Sequence, residues 1–457
     1  MSIQLPPAPP RPSPAAPRPY HFPRFTRHQL ANGMRVVVAP VRKLPVVSVL
    51  ALVDAGAMTD APGDEGLAVL AAGALTVGTR RRDGARLALD AETLGASLDA
   101  SADWDSAVVR LSVLTPRLEQ AFALFTEVLT EPAFPEREIE RLKAERLAEL
   151  LQQRTEPRTL ADEAFAAWVY AGGSRYAHPE AGSEASVRAI TRERVERFWS
   201  SRYRPGATTL VIVGDVETSS ALQLVERTLG SWSGAAPPSP RVDDRPARAE
   251  RGVLVVAKAD APQSELRVGH VGLPRNNPDF FPATVMNAIL GGLFSSRINL
   301  NLREAHAWTY GAHSGFEWRL QAGPWVADSA VKSEVTADAV REIMGEIDRI
   351  RTTPVAPEEL SLATSYLDGV FPIRYESTGA IAGALANLVL YGLPDDYFDR
   401  YRERVRAVTV DDVQRAAERH LHPEQLQVVA AGDPAAIVAP LEKLGIGPVE
   451  VMAAESV

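Results

Sequence analysis

In "NLREAHAWTYG" two side chains capable of chemistry, Arg303 and Tyr310, stand seven residues apart among groups that carry none. A guanidinium is always charged and presents a planar fork of donors, while a phenol donates one well-directed hydrogen bond. Such a pair suits holding carbonyl oxygens and steadying an oxyanion. Taken alone, an arginine at a helix end near a strand tyrosine is more often an ordinary structural pair. Other catalytic sets are missing. The chain has no cysteine, which removes thiolate nucleophiles, disulfides and cysteine-bound zinc. Of its eight histidines, His420 and His422 stand two apart beside Pro423, where a helix puts them on different faces, and His178 in "RYAHPEAG" reads as a loop residue. Ser314 precedes a glycine but has Ala312 two positions before it, so it makes no G-x-S-x-G elbow.

The elements that must position the pair follow from the local sequence. Gly291-Gly292 breaks the chain, Ser295 or Ser296 can cap a helix running through Leu302, and "WTYGAHSGFEW" reads as the next strand. Arg303 then ends a helix and Tyr310 begins a strand.

This segment sits in the second copy of a duplicated unit. "AITRERVERFWSSRYRPGATTLVIVGDV" and "AVTVDDVQRAAERHLHPEQLQVVAAGDP" align without a gap, with Thr191 on Thr409 and Asp215 on Asp433: 409 − 191 = 218 and 433 − 215 = 218. Each copy reads as a threonine-capped helix, a proline turn and a β-branched strand stopping at Gly-Asp. "LANGMRVVVAP" with "LPVVSVLALVDAG", and "RGVLVVAKAD" with "SELRVGHVGLP", open the two units as strands; helical stretches follow in blocks. That order predicts an α+β fold of two duplicated domains, each an antiparallel sheet covered by helices, closing as a clamshell. The expected boundaries are a disordered proline-rich arm over 1–22, a first domain over 23–231, a linker over 232–252 and a second domain over 253–448.

With 46% apolar and 23% charged residues the composition is that of an ordinary globular protein. A net charge of −9 gives no electrostatic case for nucleic acid. No window approaches 18 continuous apolar residues, and the proline-rich start has no apolar secretory core, so no membrane partner and a cytoplasmic location are expected.

The helix "GLAVLAAGALTVGT" (66–79) is small and apolar. Its surroundings resemble the pitrilysin/insulinase family of zinc peptidases, which includes the mitochondrial processing peptidases. The resemblance rests on "ANGM", "VDAG", "GLA…L…GT", "LGASLDASADWD", "PAFPEREIERLKAE" and "YRPGATTLVIVGDV", and spans about residues 25–445. In active members this helix carries H-x-x-E-H. The three matching positions here are Val69, Ala72 and Gly73; a distal carboxylate ligand would match Glu149. One carboxylate cannot hold zinc, which needs about three protein ligands, so no metal and no cofactor are expected in this chain. The resemblance also assigns the Arg/Tyr pair: Arg303 and Tyr310 would bind substrate carbonyls and the oxyanion at a zinc held by another chain. Gly291 and Gly292, with the strand Ser97, Leu98, Asp99 and Ala100, would touch substrate docked as an added edge strand. Where the family often has glycine between the pair, this chain has Ala307-Trp308. The function implied is the non-zinc subunit of a heterodimeric metallopeptidase, inactive alone, partnered by a homologous H-x-x-E-H chain and acting on peptides. The alternative is a catalytically inactive structural, assembly or peptide-binding homodimer.

Overall fold

The computed structural model describes residues 19–454. The first half builds a six-stranded sheet from β1 (Thr26–Gln29), β2 (Arg35–Pro40), β3 (Val46–Val53), β4 (Ser97–Ala102), β5 (Ala107–Leu114) and β6 (Thr208–Gly214). The second half builds another from β7 (Gly252–Ala257), β8 (Gln263–Val271), β9 (Ala312–Phe316), β10 (Pro324–Lys332), β11 (Gln427–Gly432) and β12 (Val449–Ala453). The orders are β1-β2-β6-β3-β5-β4 and β12-β7-β11-β8-β10-β9. Helices cover the sheets, and the two halves share one plan, as the 218-residue offset requires. In both repeats the threonine does cap its helix: Thr191 accepts from the N–H of Arg194, and Thr409 from that of Asp412. Each such cap contributes about 1 kcal/mol.

The sheets are mixed rather than antiparallel throughout. β2 pairs with β6, and β7 with both β11 and β12, in parallel. Direction is free in these pairs because long helical crossovers, not tight turns, separate the strands. β1 and β12 are the asymmetric elements, one edge strand from each end of the chain. β12 lies beyond residue 448, where the second unit was expected to stop.

Why both faces of each sheet are covered is written in the strands. "VVSVLALV" and "TTLVIVG" are buried along almost their whole length, so they need apolar cover above and below. The cover is exchanged between halves. The helix Pro157–Val169 leaves the first half and packs Leu160, Phe165 and Trp168 beside Leu254, Val256 and Val429 of the second sheet. The helix Thr378–Leu390 does the reverse, placing Ile381 and Leu385 in one core with Leu50, Leu52 and Val211 of the first sheet. At its start Thr378 and Ser48 share a 2.8 Å hydroxyl hydrogen bond. Each buried leucine or isoleucine in these seams contributes about 1.5–3 kcal/mol. The seam therefore holds the halves together over two whole helices.

The connection over 232–252 is also fixed. Ala247 N–H donates to the Val169 carbonyl at 2.8 Å, and the Asp244 carboxylate accepts from Ala322 N–H at 3.0 Å. The Arg248 guanidinium lies 3.3 Å from the centre of the Trp168 ring. Residues 1–18 of the expected arm lie outside the described residues. Its last residues dock on the second half instead of trailing free. The Phe22 ring stacks on Phe398 at 4.4 Å, and the Tyr20 hydroxyl donates to the Tyr375 carbonyl at 3.2 Å.

Candidate functional site

The segment carrying Arg303 and Tyr310 is built from two π-helical stretches, 288–292 and 300–305, on either side of a break at Leu293. π turns are rare and cluster at functional sites. Asn287 sets the first one in place. Its Oδ1 accepts from Ser314 Oγ at 2.8 Å and from the buried Trp325 indole at 2.9 Å, and its Nδ2 donates to the Ser314 carbonyl at 2.8 Å. Gly291 is buried against the same serine; a Cβ there would stand 2.6 Å from the Ser314 backbone nitrogen and closer still to its Oγ. Gly292 is exposed. The two glycines thus face different ways, Gly291 into β9 and Gly292 to solvent.

After the break, Ser296 stands at the N-terminal cap position, yet its buried hydroxyl makes no hydrogen bond. The bracing comes instead from Asn299. Its Nδ2 donates to the Phe294 carbonyl at 2.6 Å and its Oδ1 accepts from Ala312 N–H at 3.0 Å, which ties the helix start to β9. The helix closes with Ala307 N–H on the Arg303 carbonyl (3.1 Å) and Trp308 N–H on the Leu302 carbonyl (3.0 Å), one residue wider than an ordinary Schellman ending. That ending needs a left-handed residue, and Ala307 supplies it at φ 54°. Glycine would adopt this conformation freely; alanine holds it at a cost of about 1 kcal/mol. So the loop absorbs the departure from glycine as strain at one residue. Beyond it, Thr309 and Gly311 are held by Ser329, and the strand begins only at Ala312, leaving Tyr310 in the preceding bend.

The two functional candidates end up displayed. Tyr310 is 94% exposed, and its hydroxyl has no hydrogen-bond partner among the described residues. The Arg303 guanidinium lies over the exposed Phe294 ring at 4.4 Å, and among the described residues its one ion-pair partner is Glu304 at 3.4 Å. The Nη1 that faces Glu304 is buried and makes no hydrogen bond. A structural arginine–tyrosine pair would be mutually bonded; this one is not, with Tyr310 in water and Arg303 half-buried on Phe294. Spacing did not reveal Phe294 or Asn287, although an asparagine in the apolar run "VMNAIL" is a signal of a buried polar brace.

β4 is the last strand of the first sheet, bonded to β5 on one side only. Ser97 and Asp99 point to solvent while Leu98 and Ala100 are half-buried, and Asp99 pairs with Arg110 at 3.2 Å. The helix Leu67–Gly73 packs beside this strand. Val69 and Gly73 are half-buried and Ala72 is buried. None of the three carries a lone pair to give a metal. Glu149 is exposed and paired with Arg146 at 3.2 Å. Among the described residues no group of three or more His, Asp or Glu side chains is placed to hold a metal ion. Zinc does not fit the side chains at these four positions. Of the histidines, His420 is bonded to Asp279 at 2.8 Å, and His178 is exposed.

One polar cluster was not foreseen. Just past β4, Trp104 lies between the guanidinium groups of Arg175 (5.0 Å) and Arg319 (4.4 Å). The neighbouring Asp105 carboxylate accepts from Leu320 N–H at 3.0 Å and from the Tyr391 hydroxyl at 3.2 Å, joining the halves. Burial, with the nearby Asp103 charge, pushes its pKa up to about 6 against the restraint of the Leu320 bond. Because the folded value lies above the unfolded one, this group costs nothing below pH 4, and stability falls as pH rises from about 4 to about 6. A rise from 3.8 to about 6 corresponds to at most roughly 3 kcal/mol. Asp105→Asn should remove that slope: the melting temperature of the variant minus that of the wild type should climb between pH 4.5 and 6.5. A constant difference would show that Asp105 titrates as in the unfolded chain.

In the description of its matching profiles, residues 35–176 are "Insulinase (Peptidase family M16)" and residues 189–367 are "Peptidase M16 inactive domain". Among curated relatives, an uncharacterized zinc protease of Streptomyces coelicolor is 23% identical, aligned over 86% of each chain. A mitochondrial-processing peptidase subunit beta of Lentinula edodes is 22% identical over 88% of this chain and 89% of its own. The solved structure of a peptidase M16 inactive domain from Pseudomonas fluorescens superposes with a TM-score of 0.85 at 26% identity, covering 91% of this chain and 99% of that one. A protease from Helicobacter pylori shares the fold, with a TM-score of 0.83 at 19% identity over 90% and 100%. Matches on both halves and one fold over 91% of the chain agree: the chain belongs to the insulinase family of M16 peptidases.

Proposed function

We propose that this chain is the zinc-free subunit of a two-chain metallopeptidase and lends Arg303 and Tyr310 to a homologous H-x-x-E-H subunit. The observation that carries the reading is the display of the pair. Tyr310 is 94% exposed on a braced loop, and the half-buried Arg303 beside it is laid on the exposed Phe294 ring. A fold does not strain Ala307 and hold a tyrosine in water for its own stability. In the complex, the Arg303 fork binds backbone carbonyls of the peptide. The Tyr310 hydroxyl donates to the carbonyl oxygen as it becomes negative when water adds. The free edge of β4, Ser97 to Ala102, offers backbone groups on which an extended peptide adds as a further strand. In this reading the peptide meets Gly292, which is exposed at the break, while Gly291 packs behind it on Ser314.

Two measurements test the assignment together. The purified, tag-free chain should hold less than about 0.1 zinc per chain by elemental analysis, since a site short of donors binds no stoichiometric metal. Mixed with its H-x-x-E-H homologue, it should form a complex that survives gel filtration, burying on the order of 2,000 Å². Peptidase activity should appear only in the mixture. One tightly held zinc per chain, or a homologue fully active alone and unchanged by mixing, overturns the reading.

A further inference from the structure

The exchange of helices leaves a cavity of about 280 Å³ between the first half's Pro157–Val169 helix and the second sheet, away from the Arg/Tyr segment. Its floor is apolar: Leu160, Ala164 and Trp168 from the helix, with Leu254 of β7 and Met452 of β12. Its rim is polar, carrying Gln153, Arg154, His178, Ser183 and Glu184, and one carboxylate among the lining groups is left without a bonded partner. Glu163, half-buried on the same helix, has no hydrogen bond or ion pair to any described residue. The cations around it are already engaged. Arg154 pairs with Glu184 at 3.0 Å across the rim, and Arg146 is bonded to the Ala181 carbonyl (3.2 Å) and to Glu149 (3.2 Å). Burial raises the Glu163 pKa, with Arg146 and Arg154 offsetting part of the effect.

The opposite wall is stitched in advance. The Arg175 guanidinium donates to three successive carbonyls, those of His178 (3.2 Å), Pro179 (3.1 Å) and Glu180 (2.9 Å), and to Asp60 at 3.2 Å. A preformed hollow with an apolar floor and a few polar groups at its rim, just under the usual size of small-molecule sites, has the anatomy of a pocket for a small ligand. Its chemistry selects the ligand. The apolar floor rewards a hydrocarbon body, and a half-buried carboxylate with no bonded partner rewards a cation.

We propose that this cavity is a binding site for a small apolar amine, its body on Leu160, Trp168 and Leu254 and its ammonium group on the Glu163 carboxylate. The site is independent of the peptidase assignment, since it shares no residue with the Arg/Tyr segment or β4.

Calorimetric titration of the full chain with phenethylamine and n-hexylamine, beside phenethyl alcohol and hexanoate as charge controls, tests it. The amines should bind one per chain and about tenfold or more tighter than the alcohol, the usual weight of one hydrogen bond to a charged group. Hexanoate should not bind. Glu163→Gln should lose that advantage while still binding the alcohol weakly. Ala167→Trp, which plugs the cavity from its exposed rim, should abolish binding of all probes with the fold intact by circular dichroism. Amine and alcohol binding with equal affinity, amine affinity unchanged in Glu163→Gln, or no amine binding at all overturns the proposal.

Discussion

Tyr310→Phe should cost the assembled peptidase about 10²–10³ in kcat/KM, some 3–4 kcal/mol of transition-state stabilisation, while leaving melting temperature and complex formation unchanged. The substitution deletes one hydroxyl that touches nothing in the chain itself: the residue is 94% exposed and carries no internal hydrogen bond. No structural contact is removed, so any large loss must be a loss to substrate. Arg303→Lys should fall by a similar factor, for two separate reasons. An ammonium cannot reproduce a planar two-donor fork, and it stacks less well on Phe294, whose ring lies 4.4 Å from the guanidinium carbon. Phe294→Ala then divides the possibilities. If the ring pre-orients the guanidinium, this variant should raise KM and lower kcat/KM by several-fold without matching the loss in Arg303→Lys. Both variants should be assayed at equal concentration of complex. Full activity in Tyr310→Phe would remove the central support for the proposed role.

How much of this was legible in the chain depends on the range of the interactions that decide it. The duplication was readable because its marks are local: a threonine bonded three residues ahead, a proline turn, and a glycine closing a strand. Gly214 shows the last of these in structure, at φ 145° with room for no side chain beside Val46 and Val47. Strand direction was not readable, because the parallel pairs join strands separated by long helical crossovers that impose no sign. The exchanged helix "TGAIAGALANLVL" announces that it is buried, being apolar on every side, but nothing in it says that its sheet belongs to the other half. The Trp104–Asp105 cluster was silent for the same reason, since Asp105 finds its partners 215 and 286 residues away. At the candidate site the residue types and spacing of Arg303 and Tyr310 could be read. Their display could not. It depends on a hydrogen-bond ladder shifted by one residue into π geometry and on a left-handed alanine, and neither leaves a periodic trace.

Gly291→Ala should destabilise the chain by about 3 kcal/mol, whereas Gly292→Ala should cost well under half of that. The two glycines are adjacent in sequence and opposite in circumstance. A methyl group at 291 meets Ser314 at its hydroxyl and, 2.6 Å away, at its backbone nitrogen, which is fixed in β9 by pairing with β10. The serine cannot rotate clear, because its Oγ and its carbonyl are both engaged by Asn287, and the same asparagine holds the Trp325 indole. Accommodating the methyl therefore means pushing the π stretch 288–292 off the sheet, or breaking bonds to Asn287 and leaving a buried indole N–H unsatisfied. At 292 the nearest atoms are the Asn287 amide nitrogen and carbonyl oxygen, both 3.1 Å away, and the position faces solvent, so a few tenths of an ångström of relief suffice. Denaturant melts of the two variants, read with the activity of the mixed complex, separate packing from substrate contact. Packing at 291 predicts lost stability and lost activity together, because the displaced turn carries Phe294 and Arg303 with it. A Gly291→Ala chain of wild-type stability that has lost activity would mean that Gly291 touches the peptide, and that the turn moves off Ser314 when substrate binds.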